Sequence, residues 1–201
     1  MREGRWERQP GRELSGGTWG LVSAGATARA TARLARALGM TVVAHDPHID
    51  PSLPDLHELG IQLMPLDEVV ATSDVLSVHL PSTPETRHLI NARLIALMRP
   101  DAILVNVGRG EVVDEDALAD ALEEGHLYGA GLDVREQEPP GDSRLHKMAN
   151  VVLTPHVAGI TGQAQSRIGA LLCSDIDNVL NGEEAKHAVG AHKRPARKVG
   201  A

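Results

Sequence analysis

Ser23-Ala24-Gly25-Ala26-Thr27-Ala28 is a run of small residues between an apolar stretch, Trp19-Gly20-Leu21-Val22, and an alanine-rich one, and Asp46 follows Gly25 by 21 residues. A dinucleotide-binding turn has this plan. A strand leads to a turn whose backbone can approach a pyrophosphate, a helix presents its first amides to the phosphate oxygens, and an acid about 20 residues on holds the ribose hydroxyls. Of the three fingerprint glycines only the middle one stands, as Gly25. It is the one whose missing side chain lets the pyrophosphate come close. Ala28 in the third place keeps the close helix-strand packing, whereas Ser23 in the first puts a Cβ and a hydroxyl where the turn favours neither. If the turn binds a nucleotide, Asp46 repels a 2′-phosphate and no arginine follows within Pro47-His48-Ile49-Asp50, so NAD is favoured over NADP. A strand, a glycine and a helix also occur in α/β proteins that bind no nucleotide, and the turn alone leaves both readings open. His45, Asp46, His48 and Asp50 invite a metal reading, but no helical His-x-x-x-His pair and no cysteine partner supports it, and no metal is expected.

Short β-branched runs alternate with Ala/Leu-rich helical stretches from Thr18 onward, which is the α/β signature. The pattern predicts strands at Trp19 to Ser23, Thr41 to His45, Ile61 to Met64, Val75 to His79, Ala102 to Val107, Gly129 to Val134 and Val151 to Thr154. Helices are predicted from Ala26 to Leu38, Leu66 to Ala71, Asn91 to Met98, Asp114 to Glu124 and Gln163 to Leu180, stopped by Gly39, Pro100, Gly125 and Asn181-Gly182. Strands apolar on both faces belong in a parallel sheet covered by helices. The expected fold is a Rossmann-like, doubly wound, mostly parallel sheet of about seven strands with helices on both faces. Residues 1–18 read as a lead-in, 19–160 as the dinucleotide-binding domain, 161–182 as a C-terminal helix and 183–201 as a basic, disordered tail.

Three further segments carry chemistry. They are Leu104-Val105-Asn106-Val107-Gly108-Arg109-Gly110 leading into Val113-Asp114-Glu115, then Gly131-Leu132-Asp133-Val134 through Glu138-Pro139, then Thr154-Pro155-His156-Val157-Ala158-Gly159. Glu138 follows Arg109 by 29 residues and His156 follows Glu138 by 18. In order and spacing the three resemble the D-isomer-specific 2-hydroxyacid dehydrogenase family, which includes phosphoglycerate, glyoxylate/hydroxypyruvate and D-lactate dehydrogenases. The resemblance runs from near Trp6 to about Gly182 and takes in His79-Leu80-Pro81. It implies an NAD-dependent oxidoreductase that interconverts a D-2-hydroxy acid and a 2-oxo acid by hydride transfer, with Arg109, Glu138 and His156 as the catalytic set. Under it, Gly25, Ala26, Thr27 and Asp46 face the adenosine and pyrophosphate. Leu80, Val107, Gly108, Asp133 and Gly159 face the nicotinamide, with Arg109 and His156 beside them. A forked guanidinium suits a carboxylate, an imidazole suits proton exchange at a carbonyl oxygen, and a carboxylate orients the imidazole. The family's formate dehydrogenases have glutamine for this acid, so Glu138 speaks against formate. Plainer readings stand beside these roles: Gly108 and Gly110 as turn glycines, Asp133 as a strand-end cap, Glu136 as solvated charge on a loop.

The family's members usually carry an N-terminal substrate domain, and this sequence begins inside the connection to it. The resemblance therefore implies a partner domain, in the same chain or separately encoded, and a homodimer through the cofactor domain. Ser23 and the missing substrate wall keep two alternatives open: a non-catalytic nucleotide-sensing or interaction module, and a decayed pseudoenzyme.

Composition excludes other classes. The 201 residues are 42% apolar, enough for one core, but Phe is absent and Trp6, Trp19 and Tyr128 are the only aromatics, so no stacking platform for single-stranded nucleic acid exists. The net charge of −7 has the wrong sign for a phosphate backbone, and the basic cluster Lys193, Arg194, Arg197 and Lys198 lacks accompanying aromatics. No nucleic-acid partner is expected. No apolar run approaches a membrane span and the N-terminus has no signal pattern. The single cysteine, Cys173, cannot pair internally and reads as a small core residue on a buried helix face. Cytoplasmic residence is the simplest expectation.

Overall fold

The computed structural model describes residues 11–188. Trp6 and the basic cluster 193–198 lie outside the described residues. Two compact units divide the chain at Pro155/His156.

The first unit holds seven strands: β1 (Thr18–Val22), β2 (Thr41–His45), β3 (Ile61–Leu63), β4 (Val75–Val78), β5 (Ile103–Asn106), β6 (Gly129–Leu132) and β7 (Val151–Leu153). Their order is β3-β2-β1-β4-β5-β6-β7, and every neighbouring pair is parallel. The expected mostly parallel sheet is thus entirely parallel. Strand order reverses between β1 and β4, and ligands of such sheets bind at the carboxyl ends of the strands beside that switch.

Both faces of the sheet are covered. Helix α1 (Ala26–Ala37) buries Ala28, Ala32 and Ala35, spaced so that they share one face, against Leu21, Val42, Ala44 and Val75. Helix α2 (Pro54–Glu58) adds Leu56 to that face. On the opposite face α3 (Leu66–Thr72), α4 (Ala92–Leu97) and α5 (Glu115–Glu123) enclose Val22, Val43, Leu76, Val78 and Leu104 with Val69, Val70, Leu94, Ile95 and Leu118. Asn91 and Asp114 cap α4 and α5, each accepting a backbone N–H three residues on. Helix α2 and two single 3-10 turns, Gly110–Val112 and Arg144–Lys147, were not expected from the pattern, because one helical turn is too short to show a period.

The second unit contains α6 (Gly162–Leu180), capped by Thr161. Residues 183–188 fold back on it: the backbone N–H groups of Lys186 and His187 both donate to Asp175 at 2.9 Å. None of the α6 residues is buried, and Cys173 is exposed. This corrects the expectation of a core cysteine. An apolar stripe marks a helix that can bury a face, but among the described residues of this unit there is no second helix or strand against which α6 could do so. Among the described residues no helix is long and apolar enough to cross a membrane.

Candidate functional site

The carboxyl ends of β1, β2, β4, β5 and β6 form one edge, joined by a chain of short contacts. Beyond β1, Ser23 donates its N–H to the His45 carbonyl, and its hydroxyl donates to Asp46 Oδ2 at 3.1 Å. Gly25 is the N-cap of α1. Ala26 and Thr27, in the first turn, are exposed. Asp46 also accepts the N–H groups of Ala24 and His48, both at 2.9 Å. Burial pushes the Asp46 carboxyl up, but the backbone donors Ala24, His48 and Ile49 and the Ser23 hydroxyl outweigh it, so the acid stays below its ordinary value and is ionised at neutral pH.

β4 joins β1 through the N–H of His79, which donates to the Val22 carbonyl. The Trp19 indole N–H donates to Ser77 Oγ at 2.8 Å, and Ser77 Oγ is hydrogen-bonded to His79 Nε2 at 2.9 Å. The other ring nitrogen of His79, Nδ1, is buried and has no partner among the described residues. Desolvation lowers the His79 pKa to about 4.

β5 meets β4 at Gly108. A β-carbon there would lie 3.1 Å from the Val78 carbonyl oxygen and 3.2 Å from that of Leu80, so only glycine lets the backbone after β5 pass so close. Asn106, 1% exposed, staples this turn: its side chain donates to the Arg109 carbonyl at 2.9 Å and accepts the Gly108 N–H at 3.0 Å. The stapled turn presents Val107 and Arg109 to solvent.

β6 meets β5 through the Asp133 N–H, which donates to the Asn106 carbonyl. Asp133 is buried and accepts the Thr154 hydroxyl. Farther along, Glu138 Oε1 accepts the Arg135 N–H at 3.0 Å. The Arg135 side chain runs inward, pairs with both oxygens of Glu115 at 2.9 and 2.6 Å, and reaches His146 and Ser143. Glu136, read as solvated charge, instead accepts from Arg87 and is paired with the His88 ring, both at 2.7 Å. The sequence-selected residues Gly25, Ala26, Thr27, Asp46, Leu80, Val107, Gly108, Arg109, Asp133 and Glu138 thus share one edge of the first unit.

His156 and Gly159 belong to the second unit, at its start. His156 has φ +54°, in the left-handed region, and the Ile160 N–H donates to the Val157 carbonyl, closing a turn before α6. Both residues are exposed.

The sequence profile of the D-isomer specific 2-hydroxyacid dehydrogenase NAD binding domain matches residues 1–158. The chain belongs to this family. A D-3-phosphoglycerate dehydrogenase of Methanocaldococcus jannaschii is 37% identical over all of this chain, and one of Mycobacterium tuberculosis is 43% identical over 94% of it. The chain spans 38% and 36% of the lengths of those two relatives. Among solved structures, a D-lactate dehydrogenase with NAD+ from Lactobacillus jensenii superposes with a TM-score of 0.84 at 30% identity, covering 94% of this chain and 61% of its own. These likenesses bear out the expected family, fold and cofactor.

The residues present suit the family's NAD. A β-carbon on Gly25 would meet only Ser23 Oγ, at 3.5 Å, so the approach to the first amides of α1 is otherwise open. An ionised acid stands at the end of β2, and a buried ring nitrogen of His79 at the end of β4 has no partner among the described residues. Asn106, His79 and the Glu115–Arg135 pair carried no role in the sequence reading. The available signal was a polar residue at the end of an apolar strand for Asn106 and His79. A partner for Arg135 cannot be read from one dimension. Among the described residues no group of three or more His, Cys, Asp and Glu side chains converges as a metal site requires.

Proposed function

We propose that this chain is the cofactor-binding and catalytic domain of an NAD-dependent D-2-hydroxyacid dehydrogenase. The observation that supports this most is the edge itself: Arg109 and the Glu138 loop interlock at Gly110, on the same strand ends that carry a dinucleotide turn and its acid. In this reading Gly25, Ala26, Thr27 and Asp46 hold the adenosine and pyrophosphate, and Leu80, Val107, Gly108, Asp133 and Gly159 hold the nicotinamide. NAD supplies the hydride acceptor for a 2-hydroxy acid, and its reduced form the donor for a 2-oxo acid.

Arg109 grips the substrate carboxylate and the adjacent oxygen through its fork of donors and so orients the reacting carbon. His156 takes the hydroxyl proton in oxidation and returns it to the carbonyl oxygen in reduction. Glu138 accepts from the imidazole and fixes its orientation. Asn106 fixes the turn that presents Arg109.

The division into a lead-in (1–18), an NAD domain (19–160), a helix (161–182) and a tail (183–201) belongs to this proposal. So do a substrate-binding partner domain that closes the site against water, a homodimer through the cofactor domain, and cytoplasmic residence. A second reading, a nucleotide-sensing module without turnover, draws on Ser23, whose positive φ and hydroxyl depart from what the turn favours.

Titration with NADH, followed by nicotinamide fluorescence, tests the reading. Saturable binding that Asp46→Ala weakens at least tenfold, together with NADH oxidation by a panel of small 2-oxo acids, is expected. Binding without oxidation of any of them favours the sensing module, and no binding by the folded chain overturns both.

A further inference from the structure

Ser23 stands at the end of β1 with φ +94°, a conformation that favours glycine, and is 7% exposed. One hydroxyl does two things there: it accepts the Gly25 N–H at 3.2 Å and donates to Asp46 Oδ2 at 3.1 Å. The two bonds are compatible, because an ionised carboxylate only accepts and a hydroxyl has one proton to give. The same carboxylate oxygen takes the Ala24 N–H, so the strand end, the turn and the ribose-side acid are tied together by Ser23 and its neighbour.

Both partners of that hydroxyl are groups a dinucleotide needs. The Gly25 N–H opens the row of amides leading into α1, which has no side-chain cap and no acid in its first turn. Asp46 is the ribose-side acid. With glycine at position 23 the Gly25 N–H would face the ligand unengaged and Asp46 would keep only its backbone donors; here the hydroxyl occupies both.

We propose that Ser23 sets the affinity of this turn for its dinucleotide, its hydroxyl capping the turn internally and being displaced from Gly25 and Asp46 when the ligand takes those partners. The inference rests on the NAD reading above. Displacement leaves a buried hydroxyl to find new partners or go without, so part of the binding free energy is lost, and a turn without the hydroxyl is preorganised for the ligand.

The test uses the chain with Ser23→Ala, which keeps the β-carbon and removes the hydroxyl, and Ser23→Gly, which removes both. Folding is confirmed by circular dichroism. NADH affinity is read by fluorescence titration, and the Asp46 carboxyl is titrated by carbon-detected NMR in the absence of nucleotide. Both variants are expected to bind NADH about tenfold tighter, the value of one net hydrogen bond, with Ser23→Gly at least as tight as Ser23→Ala. The Asp46 pKa is expected to rise in Ser23→Ala, because a donor to the carboxylate is gone. Unchanged or weaker NADH binding by Ser23→Ala overturns the proposal, since the hydroxyl is then idle or is itself a ligand. An unmoved Asp46 pKa overturns it independently. If no folded variant binds NADH, Ser23→Gly included, the NAD reading falls and the affinity role with it, while the NMR titration still reports whether the hydroxyl bridge exists.

Discussion

Gly110 rests against the backbone of Arg135: a β-carbon on Gly110 would lie 1.9 Å from both the carbonyl carbon and oxygen of Arg135 and 2.5 Å from the nitrogen of Glu136. The loop that carries Arg109 and the loop that carries Glu138 are therefore locked against each other by the absence of one methyl group. Backbone cannot swing aside as a side-chain tip can. Gly110→Ala is expected to destabilise the protein by about 2–3 kcal/mol, read from urea midpoints. Gly131→Ala, where a β-carbon meets nothing within 4 Å, should stay within about 1 kcal/mol of the parent, and equal effects of the two would contradict the packing described.

Arg135 is 7% exposed and spends its guanidinium on Glu115, Ser143 and His146. Removing one member of such a pair strands the other's charge in a half-dry site. Arg135→Met is expected to cost about 3 kcal/mol, and Arg135→Met combined with Glu115→Leu should cost less than the two singles added together by at least about 1 kcal/mol. Additive losses in a double-mutant cycle would mean that the pair is not coupled.

His79 and Glu115 make stability depend on pH in the same sense. Burial holds His79 at about 4, below its ordinary 6.5, so as pH falls below 6.5 the unfolded chain takes up a proton that the folded one refuses. Stability is fully present above 6.5 and falls as pH drops toward 4, by up to about 3 kcal/mol. For Glu115, burial pushes the carboxyl up, but hydrogen bonds from Arg135 and the Glu136 N–H, with the charges of Arg135 and His146, bring it below the ordinary value. Its contribution is therefore lost only at lower pH, as the folded carboxylate protonates. His79→Leu should flatten the unfolding free energy between pH 6.5 and 4; a profile as steep as the parent's would remove His79 as the cause.

Arg109 is exposed, with its guanidinium donating to its neighbour's carbonyl, so its replacement should leave the fold and NADH binding nearly untouched. Under the proposed function, Arg109→Gln and His156→Ala each lower kcat/KM for a 2-oxo acid by about 10²–10⁴-fold. Glu138→Gln should lower kcat/KM as well, because the imidazole loses the carboxylate that orients it. Turnover unaffected by Arg109→Gln would refute the assignment.

The sequence alone determined the alternation of strands and helices. Apolar runs bounded by glycine and proline must be buried on both faces, and only helix-covered parallel strands satisfy that. All seven strands begin and end within a residue or two of where the pattern places them, and Asn91, Asp114, Gly39 and Gly125 mark helix ends by chemistry that needs no partner from afar. The dinucleotide turn and its acid were legible for the same reason, since strand, turn and helix are contiguous.

Only the tertiary structure decided what depends on neighbours distant in sequence. Glu115 stood in the sequence only as part of the segment after Arg109 and became the partner of Arg135, 20 residues on; Glu136 read as solvated and became the partner of Arg87 and His88; Cys173 read as core and stands exposed. Ser23 looked like an ill-suited residue in a turn, and its hydroxyl instead bridges the turn to Asp46. Local patterns fix which backbone hydrogen bonds a segment can make, whereas the partner of a side chain is chosen when the strands are laid in order, and that order is a property of the whole sheet.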